Sequence, residues 1–103
     1  MERITTNLVD VVVREMNEYV WDEPESRAYL LKDETRGMFV VFVVPSDRPQ
    51  KSVALLAARI NDDEQVIIDT DRTDRPLYEA LIRAGIPRSH IIRAYLGKTE
   101  AEP

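Results

Sequence analysis

The chain has 103 residues, no cysteine and a single histidine. That excludes a disulfide framework, a thiol nucleophile, an iron–sulfur centre and a closed zinc site. Forty-four per cent apolar and 32 per cent charged residues describe a soluble globular protein, and the length allows one domain, residues 1–103. Formal charge is −5 and unevenly spread: residues 1–71 carry 8 basic against 15 acidic side chains, whereas residues 72–98 hold Arg72, Arg75, Arg83, Arg88, Arg93 and Lys98 against Asp74 and Glu79. The whole molecule repels nucleic acid at long range, while its C-terminal third offers a local basic patch. The N-terminal residues lack the apolar stretch of a signal peptide, and no apolar run approaches the roughly 20 residues of a membrane helix, so the expected location is the cytoplasm and no membrane partner is expected.

Asn7 is placed to cap a helix beginning at Leu8, with Asp10 in its first turn. Val9, Val12, Val13, Met16, Tyr19 and Val20 follow at spacings of three and four, an apolar stripe that Trp21 closes. The β-branched run Val11 to Val13 weakens this helix intrinsically, so packing must stabilise it. Asp22 to Glu25 form an acidic break. Four strand-like segments come next, Arg27 to Lys32, Met38 to Val44, Lys51 to Ile60 and Gln65 to Thr70. Short polar connections join them, and such connections link antiparallel neighbours in a meander.

The two middle segments are apolar at even and odd positions alike, with Met38, Val40, Phe42 and Val44 on one face and Phe39, Val41 and Val43 on the other. An antiparallel sheet with a wet face alternates instead. Two helices can cover one face of a four-stranded sheet, and little chain is left for the other. A second copy of the chain, making a homodimer, or a partner protein is therefore expected to complete the burial. After the strands, Thr73 or Asp74 caps a helix running through Ala84, with Pro76 in its first turn and Leu77, Ala80, Leu81 and Ala84 as its buried stripe. Gly85 suits the left-handed position that ends it, Ile86 folds back, Ser89 and His90 turn, and Ile91 to Leu96 reads as a final short strand. The fold class is α+β.

Chemistry-bearing motifs are sparse. Three glycines at positions 37, 85 and 97 make neither a phosphate loop nor a dinucleotide fingerprint. His90 lacks a nucleophile in a special turn and reads as structural or surface. Asp62, Asp63, Asp69, Asp71 and Asp74 could gather a magnesium ion for a small hydrolase, but strand ends and helix starts call for the same residues. Phe39 and Phe42 point to opposite faces, so they form no base-stacking platform. Arg75, Glu79 and Arg83 are spaced by four as an intrahelical charge ladder. Arg72, Arg88 and Arg93 lie outside that ladder and are candidate contacts to a protein or nucleic acid.

The stretch from Asp33 through Arg36, then Val53 to Ile60, the Asp62-Asp63 turn, Val66 to Ile68, and above all Leu81-Ile82-Arg83-Ala84-Gly85-Ile86-Pro87-Arg88-Ser89-His90-Ile91-Ile92 resembles the XisI family, the excision-controlling factors of the fdxN DNA element. The resemblance covers about residues 7–96. It departs in carrying Val and Ile where the family has tryptophans in its second and fourth strands, Asp63 where the family has glycine, and a shorter tail. It implies a small α+β domain with an antiparallel sheet and carries over no catalytic motif; no metal and no cofactor are expected. It also implies action beside a nuclease-like XisH partner in site-specific DNA excision. The resulting expectation is a non-catalytic adaptor whose sheet face and Arg72, Arg75, Arg83, Arg88 and Arg93 dock an XisH-type protein. Direct DNA binding through the same arginines and Lys98 is the alternative; six phosphate contacts would give log K a slope of about −5 against log salt.

Overall fold

The computed structural model describes residues 7–46 and 51–97. One helix, α1 (Leu8–Met16), and a 3-10 turn (Asn17–Tyr19) lead into six strands and a second helix: β1 (Trp21–Asp22), β2 (Ser26–Asp33), β3 (Met38–Pro45), β4 (Val53–Ile60), β5 (Val66–Asp71), α2 (Leu77–Arg83) and β6 (Ile91–Arg93). The strands form one sheet in the order β1-β2-β3-β4-β5-β6. β1 to β5 are antiparallel, the expected meander with one extra strand at its start, and β6 returns parallel to β5 after α2. The class is α+β. No described helix is long and apolar enough to cross a membrane.

Asn7 caps α1 as its position implied, Oδ1 accepting from Asp10 N at 3.3 Å. The buried stripe is Leu8, Val11, Val12, Met16 and Tyr19, rotated from the expected one: Val11 is buried, Val9 and Val13 are half-buried, and Val20 is exposed. The α-helix stops at Met16, so residues beyond it no longer follow its period. Trp21 does not close the helical stripe. It lies in β1 opposite Ala28, where its indole N–H donates to Ser26 Oγ at 3.0 Å.

The start of α2 also differs from expectation. Neither Thr73 nor Asp74 caps it; the helix begins at Leu77 after an extended Pro76. A residue preceding proline is disfavoured from helical backbone, which keeps Arg75 and the residues before it out of the helix. The capping oxygen comes instead from the end of β5. Asp71 Oδ2 accepts from Leu77 N at 2.8 Å, while its Oδ1 accepts from Thr73 N and Thr73 Oγ1 at 3.0 and 2.6 Å. One carboxylate thus ties strand, turn and helix. The other end follows the expected pattern: Gly85 takes φ 104°, Gly85 N donates to Ile82 O and Ile86 N to Leu81 O, a double closure that satisfies the last carbonyls. Ile86 is thereby folded into the core.

Helices and sheet meet in one apolar layer. Val11, Val12 and Met16 of α1, and Leu77 and Leu81 of α2, are buried with Phe39, Val41, Leu56, Ala58, Val66 and Ile68 of the sheet. Gly37 closes the β2–β3 turn at φ 70°, and its carbonyl accepts from Ile60 N at 2.9 Å; an added Cβ would meet Ile60 O at 3.0 Å. In the β4–β5 turn, Glu64 adopts φ 60°, unusual for a residue with a side chain. Asn61 Oδ1 holds that turn, accepting from Asp63 N and Gln65 N at 3.0 and 2.9 Å.

Two stability changes are expected. Asp71→Ala removes the tie at the start of α2 and should cost about 1–2 kcal/mol in urea unfolding. Glu64→Gly relieves a left-handed backbone at an exposed turn and should raise stability by about 1 kcal/mol. Equal midpoints for Glu64→Gly and wild type would show that the turn carries no strain.

Candidate interaction surface

Strand register sorts side chains between the two faces of the sheet. Ala28, Leu30, Phe39, Val41, Leu56 and Ala58 point toward the helices. The opposite face carries rows that run across the strands: Tyr29, Phe42 and Ala54; then Leu31, Val40, Ala57 and Thr70; then Asp33, Met38, Arg59 and Ile67. Neither α1 nor α2 packs on this side, and Ile67 at its β5 end is itself buried. Tyr29 is 44 per cent exposed, Leu31 53 per cent and Met38 39 per cent. The face is therefore apolar, with half-buried Val40, Phe42 and Ala57 at its centre and exposed Tyr29 and Leu31 on its β2 side, the reverse of the alternation expected for an outer sheet surface.

Ion pairs edge it. Arg27 Nε donates to Asp22 Oδ1 at 2.7 Å at one margin, and Arg59 binds Asp69 through Nε and Nη2 at 2.9 and 3.3 Å at the other. Beside the second pair, Asp33 accepts from both the backbone N–H and the guanidinium of Arg36, which holds its carboxyl below the usual aspartate range. An apolar centre with a charged rim is the general plan of a protein-binding surface. The strand pattern of β3 marks half of this face in the sequence; Tyr29 and Leu31 were the missed half. Their spacing of two on the neighbouring strand was the available signal, and it becomes informative only once the β2–β3 register is known.

The arginines singled out from the sequence lie elsewhere. Arg75 and Arg93 are committed to the chain's own tyrosines. Arg75 lies 4.8 Å from the Tyr19 ring centroid and donates through Nη2 to Glu18 O at 3.0 Å, while Tyr19 Oη donates to Arg75 O at 2.6 Å. Arg93 sits 4.0 Å over Tyr78, joining β6 to α2. Arg72, Arg83 and Arg88 are exposed, and Arg83 shares a cleft of about 320 Å³ with Arg75. Glu15, Glu18, Asp74 and Glu79 line the same cleft, so its carboxylates outnumber its guanidiniums. Lys98 lies outside the described residues.

The aspartates also disperse. Asp69 pairs with Arg59 and Asp71 caps α2, and among the described residues no three histidine, aspartate or glutamate side chains are grouped to hold a metal. His90 Nδ1 is 2.8 Å from Glu64 O; a carbonyl only accepts, so this nitrogen carries the proton and braces the left-handed Glu64.

The sequence matches the XisI protein family over residues 1–102. The chain belongs to the XisI family. Solved structures share its fold, among them two from Anabaena variabilis ATCC 29413. A XisI-like protein superposes with a TM-score of 0.68 at 20% identity, covering 84% of this chain and 85% of that one. The fdxN element excision controlling factor XisI superposes with a TM-score of 0.62 at 18% identity, covering 84% of this chain and 78% of that one. Among curated proteins, none matches the chain.

Within this XisI-family fold, the Tyr19–Arg75 contact has a pH signature. Burial first, then the negative charge of Asp71, raises the Tyr19 phenol above its ordinary value. The neutral phenol is the form the fold prefers, and only that form donates to Arg75 O. Its contribution is complete below the unfolded value of about 10 and is lost as pH rises through the higher folded-state value. In an ultraviolet phenolate titration, the Tyr19 step should fall late. Tyr19→Phe should abolish that late step and cost about 1 kcal/mol at neutral pH. A late end of the titration left unchanged by Tyr19→Phe would contradict the assignment.

Proposed function

We propose that this chain is a non-catalytic accessory protein in the control of DNA-element excision, and that it acts by docking a protein of the XisH type on the open face of its sheet. The observation that carries the reading is the row Leu31–Val40–Ala57, flanked by Tyr29, Phe42 and Met38: apolar, solvent-facing and carried on paired strands. Burial of such side chains contributes about 25 cal/mol per Å² of apolar area, and a preformed sheet loses little conformational freedom on binding. The charged rim would orient the partner rather than supply most of its affinity.

Family membership supports the excision-control part of the reading, since one structural relative is named as an fdxN element excision controlling factor. The non-catalytic part is supported by chemistry: there is no thiol, and the single imidazole has one nitrogen engaged by a backbone carbonyl. The exposed Arg72, Arg83 and Arg88 are free to make secondary contacts to the partner, with Arg75 and Arg93 holding the helices in place. A cytoplasmic location fits the same reading.

The test is capture of a purified XisH-family protein by this chain. Wild type should retain it at moderate salt. Val40→Lys puts a charge in the middle of the face and should weaken capture about 30-fold or more, with the circular dichroism spectrum preserved. Capture unaffected by Val40→Lys, or no capture by wild type even at low salt, would remove the sheet face as the docking surface.

A further inference from the structure

We infer that the chain pairs with a second copy of itself along the outer edge of β2, joining two six-stranded sheets into one. β1 covers only Arg27 and Ala28, so no described strand pairs with the stretch from Tyr29 to Asp33 on that side. Backbone parity shows which groups are left. Glu23 N donates to Ser26 O at 3.0 Å across the β1–β2 turn, and Ser46 N donates to Glu25 O on the β3 side. Even-numbered residues of β2 therefore face outward, and Leu30 and Lys32 each present one N–H and one C=O to the open edge. The β2–β3 register is unbroken over eight pairs, so no bulge bends this edge away, and the stretch contains no proline.

The free stretch matches itself. A two-fold axis perpendicular to the sheet and passing beside Leu31 sets Leu31 against Leu31, Leu30 against Lys32 and Tyr29 against Asp33. Leu30 and Lys32 then form hydrogen-bonded pairs, giving four bonds between the copies, with Leu31 as the close, non-bonded pair between them. Both limits of this register are built into the chain. On one copy β1 ends the free edge at Ala28; on the other, β2 ends at Asp33.

The place where they meet is a groove of about 430 Å³ lined by Val20, Trp21, Asp22, Arg27, Ala28 and Tyr29. Asp33 and Glu34 of the second copy arrive there already paired with Arg36 and Lys32, as Arg27 is with Asp22, so the charges on both sides of the corner are balanced. A lysine on a free edge ordinarily guards against pairing. Here Lys32 is paired within its own chain to Glu34, which reduces its repulsion of the Lys32 in the other copy.

This edge is separate from the open face. A perpendicular two-fold keeps both apolar faces on the same side, so pairing leaves them exposed and enlarges the surface. The contact is small, which places it among weak interfaces and calls for measurement at about 100 µM.

Sedimentation velocity of wild type over a concentration series should show a species approaching twice the 11.9 kDa chain mass. Lys32→Pro deletes an outward N–H that no described residue accepts, and should return the chain to monomer. Leu31→Cys introduces the chain's only thiol at the two-fold position, and mild oxidation should convert it to a disulfide-linked dimer. Wild type that stays monomeric at that concentration, a dimer that survives Lys32→Pro in folded protein, or Leu31→Cys that fails to cross-link would each overturn the inference. Val40→Lys should leave the dimer intact, so loss of partner capture and loss of pairing are separable.

Discussion

A strand that is apolar on both faces, built into a sheet with helices on one side only, sets the constraint from which the rest of the structure follows. Phe39 and Val41 are sealed under α1 and α2, while Val40 and Met38, one residue away on the same strand, face outward. The side-chain period of two makes this unavoidable, because no change of register can hide both sets at once. The monomer satisfies one face and leaves the other to its surroundings. Surface of that kind adds nothing to folding stability, which is why its presence points toward association.

The helix layer shows how economically one face is sealed. α2 has only seven residues, too short to persist alone, and its ends are fastened by Asp71 on one side and the Gly85–Ile86 reversal on the other. Its flanks are held by aromatic–guanidinium contacts, Tyr78 beneath Arg93 and Tyr19 beneath Arg75. Two of the five arginines that stand out as a basic patch in the sequence thus have an architectural part. An exposed guanidinium over a ring contributes only about 0.5–1 kcal/mol, but here each contact also links elements distant in sequence.

What the sequence makes legible is what depends on neighbours along the chain. The Asn7 cap, the left-handed Gly85 with Ile86 folding back, and the four main strands each follow from local chemistry, and all are present. The misreadings arise where a distant residue decides. α2 is capped by Asp71, six positions before the amide it binds, because Pro76 forbids the nearer candidates their usual geometry. Trp21 continues an apolar spacing that looks helical, yet its indole finds Ser26 across a turn and the backbone pairs with Ala28. The open face was half visible: β3 declares itself through unbroken hydrophobicity, whereas Tyr29 and Leu31 sit among Arg27, Lys32 and Asp33 and look like an ordinary alternating edge.

That alternation on β2 has a further physical meaning. Its outer face continues the apolar rows begun by Phe42 and Val40, so the greasy surface reaches the margin of the sheet instead of stopping short of it. A polar residue at Leu31 would have closed the patch and left the monomer no less stable, since the side chain is more than half exposed. Surface ion pairs close the patch on its other margin, at Arg59 and Asp69, where the rows end in charge. The two margins are therefore built differently. The Arg59 side is a rim suited to the border of a docked protein; on the β2 side the Arg27–Asp22 pair guards only the β1 end, and beyond it no described strand pairs with β2, an edge suited to extension by a further strand.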